Sequence, residues 1–111
     1  MTATLDKLLA DHKLHLVFEE KKEDMVFAVW NFIDAFISIN GTEPPRESLQ
    51  IFIHQSIKYL PTVSSFYTTC DTPIETKKEV IGYLVDKFYD YAVKRLAELD
   101  RGGLERTNQN P

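Results

Sequence analysis

Residues 25–39 read MVFAVWNFIDAFISI and form the most apolar run of the chain. At about 100° per residue, a helix here places Asn31, Asp34 and Ser38 in one polar stripe roughly 60° wide. Because apolar residues cover the rest of the circumference, such a helix is expected to be buried on several sides. Asp34, in a run shorter than the roughly 20 apolar residues of a membrane span, argues against membrane insertion. The stretch therefore predicts a largely buried central helix.

A pair of buried strands is the competing interpretation, because Val, Ile, Phe and Trp also favour strands. No turn signal interrupts the sequence between Lys22 and Asn40, which favours one helix. Gly41 suits the end of that helix because glycine adopts the left-handed conformation without a Cβ clash.

The segments before the central run are less distinctive. Thr2 or Thr4 is suited to cap a short first helix. Residues 14–18, LHLVF, alternate too briefly to separate a bend from a short extended piece. Residues 19–24, EEKKED, indicate solvated first turns of the central helix, where acidic side chains are favoured; a charged binding patch is the alternative.

The second half contains two further helices separated by a loop. Residues 41–46, GTEPPR, break the chain before a helix that is expected to run to about Leu60, where Pro61 ends it. Residues 61–71, PTVSSFYTTCD, show no helical period and predict a loop with room for a short extended segment. Residues 72–75, TPIE, form a capping box that predicts the last helix, which Gly102 and Gly103 end.

These patterns predict an all-α fold. The expected architecture is a small bundle of three substantial helices and a short N-terminal helix around the central helix. Residues 1–101 would form one domain, and residues 102–111 a disordered tail. The packing order and handedness stay open, because short connections permit more than one arrangement.

Composition excludes several classes of protein. The formal charge of −4 gives no general reason to bind nucleic acid or an anionic membrane. Cys70 is the only cysteine, which rules out an internal disulfide framework and fits a reducing compartment. The N-terminus has no apolar segment of signal-peptide length. We therefore expect a soluble cytoplasmic protein.

The sequence presents no combination of residues that specifies a reaction. His12 and His15 could form half of a metal site, but no further ligand stands at a recognisable spacing. Cys70 with His54 as its base has no local support, and Asp86 with Asp90 reads as a solvated pair. Phosphate-binding and dinucleotide-binding glycine motifs are missing from the sequence. We expect no enzymatic activity, no metal and no cofactor.

Nucleic-acid binding is also not expected. The helix after GTEPPR could imitate the recognition helix of a helix-turn-helix. It offers only Arg46 and Lys58 as cations, with Glu47 nearby, whereas phosphate contact normally needs several cations.

Misplaced apolar residues give the functional prediction. Phe27 falls in the polar stripe of the central helix, and Ile51 and Tyr83 lie opposite the core faces of their helices. Phe66 and Tyr67 stand in the expected polar loop. These five residues are predicted to form a partner-binding surface, since aromatic residues are enriched in interfaces. The competing interpretation is that the first helix and the 61–71 loop cover them.

The predicted function is a non-enzymatic protein-binding module, which acts as an adaptor, a regulator, or an inhibitor of the immunity or antitoxin kind. One alternative is a bundle that binds a small apolar or aromatic ligand in an internal pocket near Trp30. A further alternative is a homodimer with a structural or scaffolding role. The identity of the partner is not readable from the sequence.

Overall fold

The computed structural model describes residues 2–69 and 71–101, with side chains for residues 5–68 and 71–99. Within these residues the secondary structure is helical, without strands, so the predicted all-α fold is confirmed. Cys70 and the expected tail 102–111 lie outside the described residues. The helices are α1 (Thr2–Asp11), α2 (Leu14–Asn40), α3 (Arg46–Ile57), α4 (Pro61–Thr69) and α5 (Ile74–Arg101).

The bundle is built around α2, which contacts all four other helices and meets α5 most extensively. Phe18 of α2 packs on Phe88 of α5, with 5.0 Å between the ring centroids. Five residues further along α2, Glu23 pairs with Tyr91 and Arg95. Since the contacts advance together along both helices, α2 and α5 run in the same direction. None of the described helices is long and apolar enough to cross a membrane.

The N-terminal part of α2 differs from the expectation. Residues 14–18 are helical, and the charged run 19–24 lies inside the helix and not in its first turns. The reason is the spacing of Leu14, Val17, Phe18 and Met25, which fall on one face and are all buried. The charged residues between them stay at the helix surface, where Lys22 pairs with Glu19 at 3.0 Å.

A tight turn separates α1 from α2. Lys13 adopts the left-handed conformation, with φ of 58°. Its amide donates to the Ala10 carbonyl at 3.1 Å, and His15 Nδ1 lies 3.2 Å from the Leu9 carbonyl oxygen. This turn folds α1 back against α2. His12 and His15, which the sequence offered as half of a metal site, flank this connection between the helices.

The predicted loop 61–71 is wrong for its first nine residues, which form α4. Pro61 begins this helix, and α3 ends earlier than expected, at Ile57. Val63 and Phe66, three positions apart, are both buried, so tertiary packing stabilises a segment whose Ser and Thr residues disfavour helix. The last helix begins at Ile74, directly after the proline of the predicted capping box.

The apolar core receives buried side chains from every helix. Its enclosed residues include Leu14, Ile53, Ile57 and Leu84, each with no exposed surface. They lie on α2, α3 and α5, so the centre of the core lies between these three helices.

The expectation that residues 25–39 are buried on several sides holds only for the start of that run. Met25, Val26 and Val29 are buried. None of residues 30–40, all of which the structure describes, is fully buried, and Ile39 is 81% exposed. The apolar second half of α2 therefore lies at the molecular surface.

Candidate functional site

Four of the five predicted partner-binding residues are exposed. These residues are Phe27, Ile51, Tyr67 and Tyr83. The fifth, Phe66, is only 2% exposed and packs edge-on against His12, with 4.9 Å between ring centroids. The prediction that Phe66 lies on a binding surface is therefore wrong. Residues 61–69 form α4, and a helix turns Phe66 to the same side as buried Val63.

The four exposed residues do not form a single patch. On a helical wheel Phe27 lies about 180° from the centre of the buried stripe of α2. Glu20 and Asp34 share that outer face and are exposed. Tyr83 lies beside Lys87, whose Nζ is 5.9 Å from the tyrosine ring centroid. Ile51 and Tyr67, in contrast, line adjoining cavities.

These two cavities together are called the α3–α5 groove. One has a volume of about 360 Å³ and lies between α3, α4 and α5. The other, of about 440 Å³, lies between α3 and α5. His54 lines both, so the two cavities adjoin at this residue. The first is lined by His54, Lys58, Tyr59, Val63, Ser64, Tyr67, Thr68 and Ile81. The second is lined by Glu47, Gln50, Ile51, His54, Gln55, Gly82, Val85 and Asp86.

The helices beside the groove are fixed by contacts at their surfaces and in the core. Gln50 Nε2 donates to Asp86 Oδ1 at 3.0 Å, which joins α3 to α5. Arg46 lies over the Tyr89 ring at 4.8 Å from the centroid. Because Arg46 meets Tyr89 and Gln50 meets the earlier residue Asp86, α3 and α5 run antiparallel. The buried inner face of α3 anchors the same helix in the core.

Tyr67 is held by a buried lysine. Lys77 Nζ donates to the Tyr67 carbonyl oxygen at 2.8 Å, and Lys77 is buried. This carbonyl lies in the last turn of α4, where carbonyl groups lack helical partners and a cation is favoured. Thr68 Oγ1 donates to the Ser64 carbonyl at 2.9 Å in the same helix. Lys77 thus fixes the end of α4 that borders the groove.

The groove carries opposite charges at its two ends. Glu47 and Asp86 lie at one end, and Lys58 lies at the other. Lys58 Nζ is 5.0 Å from the centroid of the Tyr59 ring, so this cation remains at the surface. Between the ends, Ile51 provides an apolar side chain that is 58% exposed.

Gly82 is the residue of the groove that the sequence prediction missed. It lies in the interior of α5 and is exposed, and a Cβ added there would meet no heavy atom within 4 Å. The positive-φ glycine of the described residues is Gly41, so Gly82 has ordinary helical geometry. A glycine in a helix interior is less favourable than alanine by about 1 kcal/mol. The sequence signal that could have identified Gly82 is an isolated glycine within a strongly periodic helix.

A polar cluster joins α2 to α5 on another side of α5. Tyr91 Oη donates to Glu23 Oε2, and this hydrogen bond raises the pKa of Tyr91 above its ordinary value. Arg95 lies 3.8 Å from Glu23 and 3.0 Å from Glu98, and the bond to Glu98 is the main cause of its raised pKa. The cluster is exposed and links the two longest helices.

The described residues include no group of three or more His, Cys, Asp or Glu side chains placed to hold a metal ion. His12 contacts Phe66, and His15 contacts the Leu9 carbonyl, so both stand at the α1–α2 turn. Asp86 is bonded to Gln50. The groove offers apolar contact, hydrogen bonding and charge to a bound molecule.

No protein-family model, curated protein or solved structure matches this chain. The candidate site therefore rests on the geometry of the α3–α5 groove.

Proposed function

We propose that this protein is a non-enzymatic protein-binding module, an adaptor, regulator or inhibitor of the immunity or antitoxin kind. The observation that carries the proposal is the α3–α5 groove, where exposed Ile51 and Tyr67 line two adjoining cavities that share His54. Exposed apolar residues grouped in a concave surface are typical of interaction sites.

The scaffold around the groove supports this proposal. The Gln50–Asp86 and Lys77–Tyr67 hydrogen bonds hold its walls on three helices. A wall that is already ordered loses little conformational freedom on binding, which favours affinity. Apolar contacts flanked by charged residues also match the usual anatomy of an interface.

The test is capture of partners from the source cell with tagged protein and two matched variants. Ile51 and Phe27 are each 58% exposed but lie on different faces, so Phe27→Asp is the control for Ile51→Asp. We expect Ile51→Asp to reduce partner recovery at least tenfold, because an aspartate would be desolvated in the interface. Phe27→Asp is expected to retain the partner.

The opposite results are equally informative. Loss of the partner with Phe27→Asp alone would move the binding surface to the outer face of α2. Retention of every partner by both folded variants would contradict the proposal for these residues. Circular dichroism of each variant establishes that the helices are intact.

A homodimer is a second candidate, supported by the apolar second half of α2. Trp30, Phe36 and Ile37 are partly exposed there, and Ile39 is largely exposed. A second copy that covers this segment would remove apolar surface from water. Light scattering tests it, since a strict monomer at high concentration would exclude the homodimer.

A small-ligand site is a third candidate, supported by the cavity of about 360 Å³. This volume lies in the range of about 300–1,000 Å³ that is usual for ligand pockets. Trp30 is not among its lining residues, so thermal shift is a better readout than tryptophan fluorescence. A panel of aromatic compounds that leaves Tm unchanged would count against this candidate.

A further inference from the structure

We propose that the α3–α5 groove receives one amphipathic helix of a partner protein, which makes its closest approach at Gly82. This inference rests on the proposed protein-binding function and specifies the partner's binding element.

Gly82 indicates where a partner helix could approach α5 most closely. Neither a left-handed φ nor a close neighbour requires glycine at this position, and alanine would favour the helix more. The groove is nevertheless open above Gly82, with Ile51 and Val85 among its other lining residues. Since the distance between packed helices depends on the side chains at their contact, a glycine permits close approach of another backbone. The folded chain therefore gives no reason for glycine at this position, and the close approach of a partner helix would supply one.

The dimensions of the groove fit a short helix. Its α3 side extends from Glu47 to Lys58, which corresponds to about 16 Å or three helical turns. Three turns bring apolar anchors at i, i+3 or i+4, and i+7 onto one face, as in other helix-in-groove complexes. The groove walls are helices, whose backbone groups are bonded within each helix. They offer no free strand edge for an extended peptide.

Charge determines the direction of the bound helix. Glu47 and Asp86 attract a basic end of the partner helix, and Lys58 attracts an acidic end. Helices favour basic residues near the C-terminus and acidic residues near the N-terminus. The partner helix therefore lies with its C-terminal end at Glu47 and Asp86, antiparallel to α3.

The experiment uses a phage-displayed library of segments about 16 residues long, tiled across the proteins of the source organism, and selected on the full chain. The selected segments are synthesised, and their affinities are measured by fluorescence anisotropy against wild type and variants. We expect amphipathic segments with a basic C-terminal end, which become helical on binding.

Gly82→Leu is the decisive variant, with Gly82→Ala as its milder counterpart. We expect Gly82→Leu to weaken segment binding by roughly tenfold or more, because the added side chain occupies the approach site. Gly82→Ala is expected to weaken binding less and to raise Tm by about 4 °C. Higher stability with weaker binding separates a docking role from a structural one. Phe27→Asp is the control and is expected to bind normally.

A charge exchange tests the direction. Glu47→Lys is expected to lower the affinity of the selected segments at least threefold. Segments with acidic residues at the facing end are expected to recover that affinity. Segments that bind equally well to Gly82→Leu, or that bind without forming a helix, would overturn the inference. Selection of a segment from this chain itself would identify a second copy as the occupant and would also overturn it.

The two proposals fail in different ways. If Ile51→Asp abolishes capture of the cellular partner and Gly82→Leu does not, the protein-binding function stands and the helix in the groove is excluded. If neither variant changes capture, both the helix in the groove and the proposed protein-binding function of this face are contradicted.

Discussion

The two halves of α2 differ in a way that their composition does not indicate. The first half, residues 14–29, includes the charged run 19–24 and all the buried residues of the helix. The second half, residues 30–40, is rich in aromatic and aliphatic side chains, yet each of its described residues has appreciable exposure. Apolar content therefore measures how much surface a segment could bury, while its neighbours decide how much it does bury.

The neighbours explain the difference. In the first half of α2, Phe18, Lys22 and Glu23 make ring and ionic contacts with α5. The second half meets α3 through Phe32, which stacks on Phe52 with 4.5 Å between ring centroids. Phe32 and Ile33 also pack against the core, but every residue of this half keeps part of its surface exposed to solvent.

The largest expected effect tests this comparison directly with two phenylalanines. Phe18 is buried against Phe88, so Phe18→Ala is expected to lower the free energy of unfolding by about 3–5 kcal/mol. Phe36 is partly exposed and contacts Phe32 at 6.0 Å, so Phe36→Ala is expected to lower it by only about 1 kcal/mol. Urea unfolding measures both values. Equal losses would contradict the difference between the halves.

The next prediction concerns the cover provided by α4, which contacts α2. Lys77→Met removes the hydrogen bond to the Tyr67 carbonyl and leaves a partly buried acceptor without this donor. We expect a loss of about 1–3 kcal/mol in unfolding free energy. Lys78 is the exposed neighbour, and Lys78→Met is expected to stay within about 0.5 kcal/mol of wild type. A loss of the same size in both variants would show that the lysine charge matters and the hydrogen bond does not.

A smaller effect is expected where α1 turns onto the first half of α2. Lys13 has φ of 58°, which is strained for a residue with a Cβ. Lys13→Gly is expected to raise the free energy of unfolding by about 0.5–1 kcal/mol, whereas Lys13→Ala gives no gain. Thermal unfolding distinguishes them, and a lower Tm for Lys13→Gly would show that this turn is not strained.

The smallest effect concerns the pH dependence of the α2–α5 contact. Because the hydrogen bond to Glu23 raises the pKa of Tyr91 in the folded protein, its stabilisation is present below the ordinary tyrosine pKa. It is lost as pH rises through the raised pKa. Lys22, whose pKa is raised chiefly by its hydrogen bond to Glu19, contributes with the same sign.

The measurement compares wild type with Tyr91→Phe in urea at pH values from about 8 to about 11. Wild type is expected to lose more stability than Tyr91→Phe above about pH 10, and the difference isolates the tyrosine. Parallel curves for the two proteins would show that this hydrogen bond contributes nothing.

The sequence predicted the fold class because periodicity and capping are local. The run 25–39 and the TPIE cap of the last helix each identify a helix without reference to the rest of the chain. The 61–71 segment failed because its many Ser and Thr residues outweighed the spacing of Val63 and Phe66. That spacing becomes decisive only when a core exists for both residues to enter.

The site was predictable in its parts and not in its arrangement. Ile51 and Tyr67 were expected at the surface and both are exposed, although Tyr67 lies on a helix and not in the predicted loop. Their placement in adjoining cavities depends on how α3, α4 and α5 pack together, which no local pattern encodes. Gly82 was missed because the chain offers no other sign of an approach site.

The uneven cover of α2 has a consequence for how the helix opens. Amide hydrogens in residues 30–40 are expected to exchange with solvent through local fraying that begins at Gly41. Those between Leu14 and Val29 are expected to exchange only when most of the bundle unfolds. One helix thus spans two regimes of local stability. A molecule that covered its second half would slow exchange there, because each opening of residues 30–40 would first have to release it.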